Sequence, residues 1–306
     1  MENVAILIPT LNAGLLWKTV LEIISGQSIN ISRKIIVDSG STDDTVPLAI
    51  KYGFEVISIK KSEFNHGRTR QLLADKSGAS IGVFMTQDAV LGSPDSIKNL
   101  IQAFDDDLVG VAYGRQLPRE KATALETHAR LFNYPEHSRI RSYADKTELG
   151  FKVFFCSNSF AAYRVSILKS VGGFPTESIM GEDALATAKM LSAGFKSAYA
   201  ADAIVYHSHD YTVTDEFKRY FDTRVFHEQN DWLIREFGKP TGEGLRFVKS
   251  EILYVIKNDF KSFFKSLASL GAKWLGYQSG KYYKKMSPSF IKKLSMHRFY
   301  WDAKIN

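Results

Sequence analysis

The chain has 306 residues, 44% of them hydrophobic and 24% charged, and a formal net charge of +7. It can therefore bury a core as one large domain or as one domain with an appendage, and its single cysteine, Cys156, excludes an intrachain disulfide and a cysteine-rich metal site. No run approaches the roughly 18 uncharged apolar residues of a membrane-spanning helix, and no signal peptide precedes the first apolar run, so we expect a cytosolic protein.

The first 115 residues alternate apolar runs with helical stretches. Strands are predicted at Val4–Ile8, Lys34–Val37, Glu55–Ile59 and Ser80–Met85, and helices near residues 15–25, 44–52, 67–78 and 94–104. This alternation predicts a parallel α/β sheet. Further along the chain, the pattern predicts a strand at Val153–Tyr163 and a helix at Asp183–Ala193 that Gly194 ends.

Polar residues follow the first two predicted strands. They are Thr10 and Asn12, with the turn residue Pro9, after the first strand and Asp38 and Ser39 after the second. Parallel strands deliver their carboxyl ends to one edge of the sheet, where open α/β proteins bind their ligands. This pattern predicts a nucleotide site, although two ordinary strands with polar ends would have the same composition.

Two further segments suit a diphosphate. Phe84-Met-Thr-Gln-Asp-Ala89 places Gln87 and Asp88 after an apolar strand, where a carboxylate oxygen can reach a hard divalent cation. Phe64-Asn-His-Gly-Arg-Thr-Arg70 begins a predicted helix whose free N–H groups and arginines attract anions. The alternatives are a capped helix start after Gln87 and a solvated helix charge at Arg68.

An acidic pair and a histidine pair come later in the chain. Gly172-Gly-Phe-Pro-Thr-Glu-Ser-Ile-Met-Gly-Glu-Asp183 ends with Glu182 and Asp183 at a helix start, where the helix dipole favours an ionised carboxylate able to accept a proton. His207 and His209 follow the apolar run Ala203–Tyr206, and a strand would present both imidazoles on one side for a metal. Helix capping and structural hydrogen bonds are the alternatives.

These motifs, in this order over residues 1–210, resemble the family 2 glycosyltransferases, which have the GT-A fold. The segments that carry the resemblance are Pro9-Thr-x-Asn12, Val37-Asp-x-Gly-Ser-Thr-Asp43, Gly172-Gly-Phe174, Glu182-Asp183 and the histidine after a strand. Three others, Thr86-Gln-Asp-Ala89, Phe64-Asn-His-Gly67 and His207-x-His209, resemble the bacterial rhamnosyltransferase branch. The chain departs from most relatives at Thr86, where they carry the first acid of Asp-x-Asp, and at Gln71, where the branch usually has Asn.

The resemblance implies a GT-A fold, which is a Rossmann-like nucleotide-sugar-binding sheet with helices on both faces. It implies an inverting reaction in which Asp183 is the general base and Glu182 positions it. It also implies a divalent metal, Mg²⁺ or Mn²⁺, held by Asp88 with His207 or His209. The implied donor-binding residues are Pro9, Thr10, Asn12, Asp38, Ser39, His66, Arg70, Gln87 and Asp88, with Arg70 as the diphosphate clamp.

The favoured reaction is transfer of L-rhamnose from dTDP-L-rhamnose to a hydroxyl of a surface-polysaccharide acceptor of the O-antigen type, carried on polyprenyl diphosphate. Many relatives have two adjacent acids where Asp38 and Ser39 stand, which favours this donor over a UDP-hexose. The alternatives are a family 2 transferase with another nucleotide sugar, a GT-A nucleotidyltransferase, and a non-catalytic nucleotide-sugar-binding module at a membrane surface. The Glu182-Asp183 helix argues against the second, and an intact Asp183 argues against the third.

The positive charge is concentrated near the C-terminus. Residues 246–306 carry 13 Lys and Arg against 3 Asp and Glu, a net charge of +10, so residues 1–245 carry −3. We therefore predict a GT-A domain over residues 1–245 and a basic helical region over residues 246–306. Aromatic and aliphatic residues recur there at helical spacing, and Lys257, Lys261, Lys265 and Lys273 are predicted on a more polar side; the apolar positions are Phe260, Phe263, Phe264, Leu267, Leu270, Trp274, Leu275 and Tyr277.

Such a basic amphipathic helix can bind the anionic lipid headgroups of the inner face of the plasma membrane. We therefore expect a peripheral membrane protein on that face. Packing on the domain or on a second copy in a homodimer is the alternative. Nucleic acid is not an expected partner, because no nucleic-acid-binding motif accompanies the charge.

Overall fold

The computed structural model describes residues 3–238 and 242–305. The strands are β1 (Val4–Thr10), β2 (Arg33–Asp38), β3 (Glu55–Ser58), β4 (Ile81–Met85), β5 (Val90–Leu91), β6 (Val109–Leu117), β7 (Arg139–Arg141), β8 (Phe160–Arg164) and β9 (Lys196–Tyr206). The helices are α1 (Trp17–Ser25), α2 (Thr45–Lys51), α3 (His66–Ser77), α4 (Ser96–Ile101), α5 (Ala124–Asn133), α6 (Lys146–Leu149), α7 (Val165–Ser170), α8 (Glu182–Ser192), α9 (Val213–Gln229), α10 (Trp232–Phe237), α11 (Glu243–Asn258), α12 (Phe263–Gly280), α13 (Pro288–Leu294) and α14 (Arg298–Ile305).

Within these residues the strands form one mixed sheet in the order β3-β2-β1-β4-β8-β6-β9-β5, and β7 also pairs with β9. The first four strands are parallel, as the alternation of runs and helices predicts. β8 is antiparallel to both β4 and β6, and β5 and β7 are antiparallel to β9. The parallel arrangement predicted from the first 115 residues is therefore found in β1–β4, and the later strands, for which no direction was predicted, add antiparallel pairs to the same sheet.

Both faces of the sheet are covered by helices, because apolar side chains alternate along its central strands. In β1, Ile6 and Ile8 enter one core with side chains of α1 and α4. Ala5 and Leu7 enter a second core, on the opposite face, with side chains of α3 and α8. This arrangement matches the predicted layers of the GT-A fold. At the carboxyl ends of β1, β2 and β4 the chain continues into loops.

The sequence did not predict the short strands β5 and β7, and two longer strands, β8 and β6, also differ from the prediction. The strand predicted at Val153–Tyr163 begins only at Phe160, because Gly150–Phe154 is a 3₁₀ helix and the residues after it form a loop with polar contacts of its own. β6 was not predicted. Its sequence Val-Gly-Val-Ala-Tyr-Gly-Arg-Gln-Leu contains two glycines and the polar pair Arg115-Gln116, which break the apolar run that marks a buried strand.

The chain groups into two compact units. The first comprises residues up to 117 with 134–177 and 182–207, and it holds all the strands above. The second comprises residues 118–133 and 178–181 with the described residues from 208 onward, so its helices are α5 and α9–α14. The proposed division into domains 1–245 and 246–306 stays a prediction.

In the second unit, α12 packs along α9 through small residues. A Cβ added to Gly276 would lie 2.1 Å from the Phe217 carbonyl oxygen, and one added to Gly280 would lie 2.6 Å from the Phe221 carbonyl oxygen. Lys273 lies on the same side of the helix and is buried, with Nζ 3.3 Å from a Glu251 carboxylate oxygen. Lys273 thus lies on the more polar side of the helix, as predicted, but that side is buried, and the carboxylate of Glu251 is the partner of its ammonium group.

The basic region is also not the one continuous helix that its spacing suggested. α11 ends at Asn258 and α12 begins at Phe263, and Ser262 Oγ donates to Asp259 Oδ2 at 2.5 Å in the turn between them. Phe260 therefore lies in the turn rather than on the second helix. None of the described helices combines the length and the apolar character required to cross a bilayer.

Candidate active site

The loop after β2 is organised around the buried carboxylate of Asp38. Thr10 and Asp38 are register partners at the ends of β1 and β2, and Thr10 Oγ1 donates to Asp38 Oδ1 at 3.0 Å. The other oxygen, Oδ2, accepts from the backbone N–H groups of Gly40 at 3.0 Å and Ser41 at 2.8 Å. Because the loop's own donors surround this carboxylate, Asp38 fixes the shape of the surface that a nucleotide would meet.

The loops after β1 and β2 are joined by further hydrogen bonds. Asn12 has a φ of 45°, a left-handed conformation that asparagine tolerates, and its Oδ1 accepts from Thr42 N at 2.8 Å. Ser39 N donates to the Thr10 carbonyl oxygen at 3.0 Å, and Ser39 Oγ does so at 3.1 Å. Pro9 precedes these residues within β1, in register with Val37. The predicted donor-binding residues of these strand ends thus lie in one connected network, in which Asn12 is exposed and Thr10, Asp38 and Ser39 are buried.

Gln87 connects the loop after β4 to the same network. Its Oε1 accepts from Leu11 N at 2.8 Å, and its Nε2 donates to the Leu11 carbonyl oxygen at 3.0 Å. An amide can make this pair of bonds, whereas a carboxylate has no hydrogen to donate to the carbonyl. Gln87 therefore positions the segment that carries Asp88, next in the chain.

Asp88 and His207 lie together at the edge of the sheet. Asp88 Oδ1 is 3.4 Å from His207 Nε2. Gln116 Nε2 donates to Ser157 Oγ at 2.8 Å, so Gln116 Oε1 faces His207 and accepts from His207 Nδ1 at 3.0 Å. With its hydrogen on Nδ1, the buried imidazole directs the lone pair of Nε2 toward the Asp88 side, which is the arrangement of a metal-binding histidine with a supporting hydrogen bond.

This donor set fits a divalent cation, since Asp88 and His207 each offer a ligand atom to a shared position. An imidazole nitrogen suits a transition-metal ion such as Mn²⁺ better than Mg²⁺, which prefers oxygen ligands. β9 ends at Tyr206, before either histidine, so strand alternation does not govern their side chains and that part of the prediction is wrong. His209 lies in the second unit, and its role as a ligand stays a prediction.

Arg70 lies in the first turns of α3, which Asn65 caps by accepting from Arg68 N at 3.0 Å. Its guanidinium is buried, with Nη1 2.9 Å from Glu182 Oε1 and 3.3 Å from His66 Nδ1. The same guanidinium that was predicted to clamp a diphosphate thus neutralises a neighbouring carboxylate. Its role as a clamp, like that of His66 in donor binding, stays a prediction.

Gly67 and Gln71 hold the Gly-Gly-Phe segment against α3. A Cβ on Gly67 would lie 1.7 Å from the Pro175 carbonyl oxygen, so only glycine allows this approach. Phe174 N donates to Gln71 Oε1 at 2.8 Å. Gln71, which departs from the usual residue of the rhamnosyltransferase branch, therefore has a structural role in bringing the chain toward α8.

Glu182 and Asp183 begin α8, and Asn158 binds both. Asn158 Nδ2 donates to Glu182 Oε1 at 3.1 Å, and Asn158 N donates to Asp183 Oδ2 at 3.0 Å. Tyr163 OH donates to Asn158 Oδ1 at 2.8 Å, which fixes the orientation of the amide. Asp183 Oδ1 accepts from Ala184 N at 2.8 Å. Glu182 is buried while Asp183 keeps partial exposure, so of the two only Asp183 is open to a substrate.

The two carboxyl groups differ in their ionisation. Burial raises the pKa of Asp183, the negative charge of Glu182 raises it further, and the result is a pKa of about 7. Burial acts in the same direction on Glu182, but the positive charge of Arg70 and then His66 outweigh it and lower the pKa of Glu182. A carboxyl group with a pKa near neutrality, beside a fixed negative charge, is suited to take up a proton from a hydroxyl.

Asn158, Gln116 and Ser157 are the site residues that the sequence alone did not identify. Asn158 and Ser157 belong to the polar segment Cys156-Ser-Asn-Ser159 directly before β8, and Gln116 is a polar residue near the end of β6. A polar segment at a strand end is the signal that identified Asp38 and Asp88. It was not recognised here because both strand boundaries were predicted wrongly or missed.

Comparison with known proteins gives two close sequence relatives. Residues 5–172 match the family model described as glycosyl transferase family 2. The O-antigen chain rhamnosyltransferase RfbN of Salmonella typhimurium is 46% identical over 302 residues, covering 98% of this chain and 96% of the relative. The O-antigen chain rhamnosyltransferase WbaN of Salmonella anatum is 43% identical over 304 residues, covering 99% of this chain and 96% of the relative.

Solved structures share the fold. The mannosyltransferase PcManGT from Pyrobaculum calidifontis, in complex with GDP-Man and Mn²⁺, superposes with a TM-score of 0.58 at 17% identity, covering 99% of this chain and 86% of that chain. Residues 1–349 of S. aureus TarS in complex with UDP-GlcNAc give a TM-score of 0.55 at 15% identity, covering 92% of each chain. These likenesses confirm the predicted GT-A fold.

Proposed function

The chain belongs to glycosyl transferase family 2 and is a glycosyltransferase, and on that premise we propose that it transfers L-rhamnose from dTDP-L-rhamnose to a hydroxyl of an O-antigen acceptor. The observation that carries the proposal is the identity of 46% and 43% to two O-antigen rhamnosyltransferases over nearly the whole chain. The segments specific to that branch in the sequence support the same donor. Transfer with another nucleotide sugar, such as a UDP-hexose, is the second candidate.

Asp183 is the proposed general base. The acceptor oxygen attacks the anomeric carbon from the face opposite the diphosphate, its proton passes to an Asp183 carboxylate oxygen, and the bond to the leaving diphosphate breaks. The configuration at the anomeric carbon inverts, and no covalent intermediate with the protein forms. The backbone N–H of Asn158 holds the Asp183 carboxylate in place, while Glu182, kept ionised by Arg70, adds to the effect of burial in raising the pKa of Asp183.

The donor is proposed to bind across the strand-end network of Thr10, Asn12, Asp38 and Ser39. Asp88 and His207, with His209 as a further proposed ligand, would hold a divalent cation that neutralises the diphosphate. We propose Mn²⁺ as the preferred cation because of the imidazole ligand. Arg70 and His66 remain proposed donor contacts in addition to their contacts with Glu182.

The acceptor is proposed to be a glycan on polyprenyl diphosphate at the cytosolic face of the plasma membrane. The basic region of residues 246–306 supports a place at an anionic surface. The alternative is that residues 246–306 pack against a second copy of the chain. Both arrangements are compatible with transfer to a short soluble acceptor that carries the same sugar.

A donor panel tests the proposal. The full-length protein is incubated with dTDP-L-rhamnose, UDP-glucose or GDP-mannose and a short soluble O-antigen acceptor, with Mn²⁺, with Mg²⁺ or with a chelator. We expect transfer from dTDP-L-rhamnose, and we expect chelation to abolish it. Preferred turnover of UDP-glucose would replace the donor assignment, and donor binding without any transfer would favour a non-catalytic module.

The variant Asp183→Asn tests the base within the same assay. It keeps the size of the side chain but cannot take up the proton, so we expect donor affinity by calorimetry to be nearly unchanged and kcat to fall by roughly 1,000-fold or more. Asp105→Asn is the matched control, because Asp105 is an exposed aspartate of the same unit away from these contacts. Equal turnover by the two variants would refute the assignment of Asp183.

A further inference from the structure

The outward side of α12 is apolar. Its exposed residues include Phe264 at 78%, Leu267 at 42%, Trp274 at 63% and Leu275 at 51% relative exposure. Ala268 and Gly271 fill the positions between them, and both are exposed. Intervals of three and four residues place all six on one side of a helix, so the stripe is continuous. We call the four large side chains the outer face of α12.

The opposite side of α12 has the reverse character. Its buried residues are Ser266, Ser269, Ala272, Lys273, Gly276 and Gly280, which are small or polar. A surface helix ordinarily buries its large apolar side chains and exposes its polar ones. Here the small residues hold α12 against α9, and the large apolar residues make the contact with solvent. The outer face is therefore not required for packing within the unit, and its exposure requires another explanation.

The apolar surface continues toward α11. Leu253, Ile256 and Phe260 are 57%, 47% and 67% exposed. A cluster of exposed lysines lies at each end of the outer face, with Lys257 and Lys261 before it and Lys281, Lys284 and Lys285 after it; Lys265 follows Phe264 and contacts Asp210 Oδ1 at 3.3 Å. The outer face itself contains no acidic residue, and it extends over about 17 Å of helix at 1.5 Å per residue.

We propose that the outer face of α12 lies in the interfacial layer of an anionic bilayer, with its axis parallel to the membrane and the two lysine clusters on lipid headgroups. This inference rests on the proposed function, since a polyprenyl-linked acceptor is confined to that surface. Trp and Phe side chains favour the boundary between headgroups and acyl chains, and flanking lysines add electrostatic attraction to anionic lipids.

A second copy of the chain fits the same surface less well. Pairing two copies through the outer face would bring the lysine clusters of both to one interface, where no acidic residue of the outer face compensates them. An anionic membrane supplies the opposite charge together with an apolar layer. The charge pattern therefore favours lipid over self-association.

Co-sedimentation with liposomes tests the proposal on the full-length protein. The double variant Trp274→Ser/Leu275→Ser removes half of the outer face, and Ile50→Ser/Leu108→Ser makes the matched change at exposed apolar residues of the first unit. With vesicles of phosphatidylcholine and phosphatidylglycerol, we expect the first variant to bind roughly tenfold more weakly or worse, and the control to bind like the unchanged protein. Transfer to the soluble acceptor should be equal in all three proteins.

The lysines are tested separately with Lys257→Gln/Lys261→Gln. Affinity for the anionic vesicles should fall by about fivefold for each lysine removed, whereas the weak binding to pure phosphatidylcholine should not change. Added salt should reduce the affinity of the unchanged protein more than that of this variant, because screening acts on the charges that were removed.

Three results would overturn the inference. The first is vesicle binding by the Trp274/Leu275 variant equal to that of the control. The second is a failure of the unchanged protein to sediment with anionic vesicles at low salt. The third is a dimer of the unchanged protein, detected by sedimentation equilibrium, that becomes a monomer in the Trp274/Leu275 variant while that variant still binds vesicles. Absence of rhamnosyl transfer to the soluble acceptor would instead reject the proposed function, and the vesicle experiment would still report on the surface.

Discussion

At the scale of single residues, the surroundings of Glu182 and Asp183 shift the pKa values of these adjacent carboxyl groups in opposite directions. Arg70 lies 2.9 Å from Glu182 and stabilises its ionised form, whereas Asp183 accepts from the backbone N–H groups of Asn158 and Ala184. An ion pair stabilises a charged carboxylate more than neutral hydrogen bonds do, particularly where water is excluded. Glu182 is thus permanently ionised, whereas Asp183 can gain or lose a proton near neutral pH.

This difference predicts the pH dependence of activity. The pKa of Asp183 is raised to about 7 by burial and by Glu182, and the base is active only when ionised. We therefore expect kcat/KM to rise with pH through about 7 and then to level off. Glu182→Gln removes a negative charge and leaves Arg70 positive, so it should lower the pKa of Asp183 and move this limb to lower pH. A pH profile of initial rates for both proteins checks this, and an unmoved limb would contradict it.

Asn158 is the residue through which the two carboxylates are positioned. In Asn158→Ala, Glu182 and Tyr163 each lose a buried hydrogen-bond partner, which we expect to cost about 1–3 kcal/mol of stability. The backbone N–H that donates to Asp183 remains in this variant, but the loop that carries it loses its side-chain contacts with Glu182 and Tyr163, so we also expect kcat to fall by roughly tenfold, with a smaller change in KM.

Asn158→Asp separates positioning from stability. It places a third negative charge beside the pair, so the acidic limb of the pH profile should move to higher pH, opposite to the shift in Glu182→Gln. If the side chain at position 158 did not lie beside the two carboxylates, the substitution would change only the melting temperature and leave the limb where it was. Thermal denaturation of Asn158→Ala and pH profiles of Asn158→Asp together decide between the two roles.

The sequence identified charged site residues better than the neutral residues that orient them. Asp38, Asp88, Asp183 and His207 all follow or precede an apolar run, and ionisable groups at strand or helix ends are uncommon without a role. Asn158 was missed because an amide in a polar loop has no such signature. Its importance comes from contacts with residues 24 or 25 positions away, which periodicity does not contain.

At the scale of elements, the interface between α9 and α12 depends on glycine. A Cβ at position 276 would lie 2.1 Å from a backbone oxygen that side-chain motion cannot relieve. We expect Gly276→Ala to destabilise the protein by roughly 1–3 kcal/mol, because the helices must separate.

The same helix supplies the control. Gly271 is exposed, and a Cβ added there meets no atom within 4 Å. Gly271→Ala should therefore raise stability by up to about 1 kcal/mol through helix propensity alone. Thermal or urea denaturation of the two variants measures the difference, and similar effects at both positions would refute the close packing.

Elements with strong local patterns were predicted, and those formed by long-range pairing were not. β1, β2 and β4 are apolar runs with turn residues after them, and each was found within a few residues of its predicted bounds. β6 gains its partners from β8 and β9, some 50 to 90 residues later, and its own sequence is interrupted by glycine. Its conformation is set by the sheet that it completes rather than by its composition.

The amphipathic character of the basic region was predicted, but the side that faces inward was not. The helical spacing of the apolar residues shows that they share one side of a helix, but it does not show that this side is buried. On α12 the glycine and serine residues allow close contact with α9, so backbone proximity decides the orientation. A stripe of small residues opposite the apolar one is the sequence signal that would have indicated this.

At the scale of the whole molecule, the second unit is assembled from distant parts of the chain. Its α5 contributes the buried His128, whose Nε2 lies 2.9 Å from Ser250 Oγ on α11. Its α9 contributes the buried Asp222, whose Oδ2 accepts from Met296 N at 2.8 Å and His297 N at 3.2 Å. The C-terminal region therefore completes a core that begins more than a hundred residues earlier.

Removal of the chain after residue 242 should accordingly impair folding and not only membrane attachment. Truncation would remove α12, which packs closely on the backbone of α9 at Gly276 and Gly280, and would leave the Asp222 carboxylate without its two backbone donors. We expect a protein that aggregates or unfolds well below the melting temperature of the full chain, because apolar surface and a buried polar group lose their partners together. Solubility and circular dichroism of residues 1–242 measure this. A soluble, cooperatively folding fragment with full transfer to a soluble acceptor would show instead that the catalytic unit is independent of the basic region, as the division at residue 245 supposes.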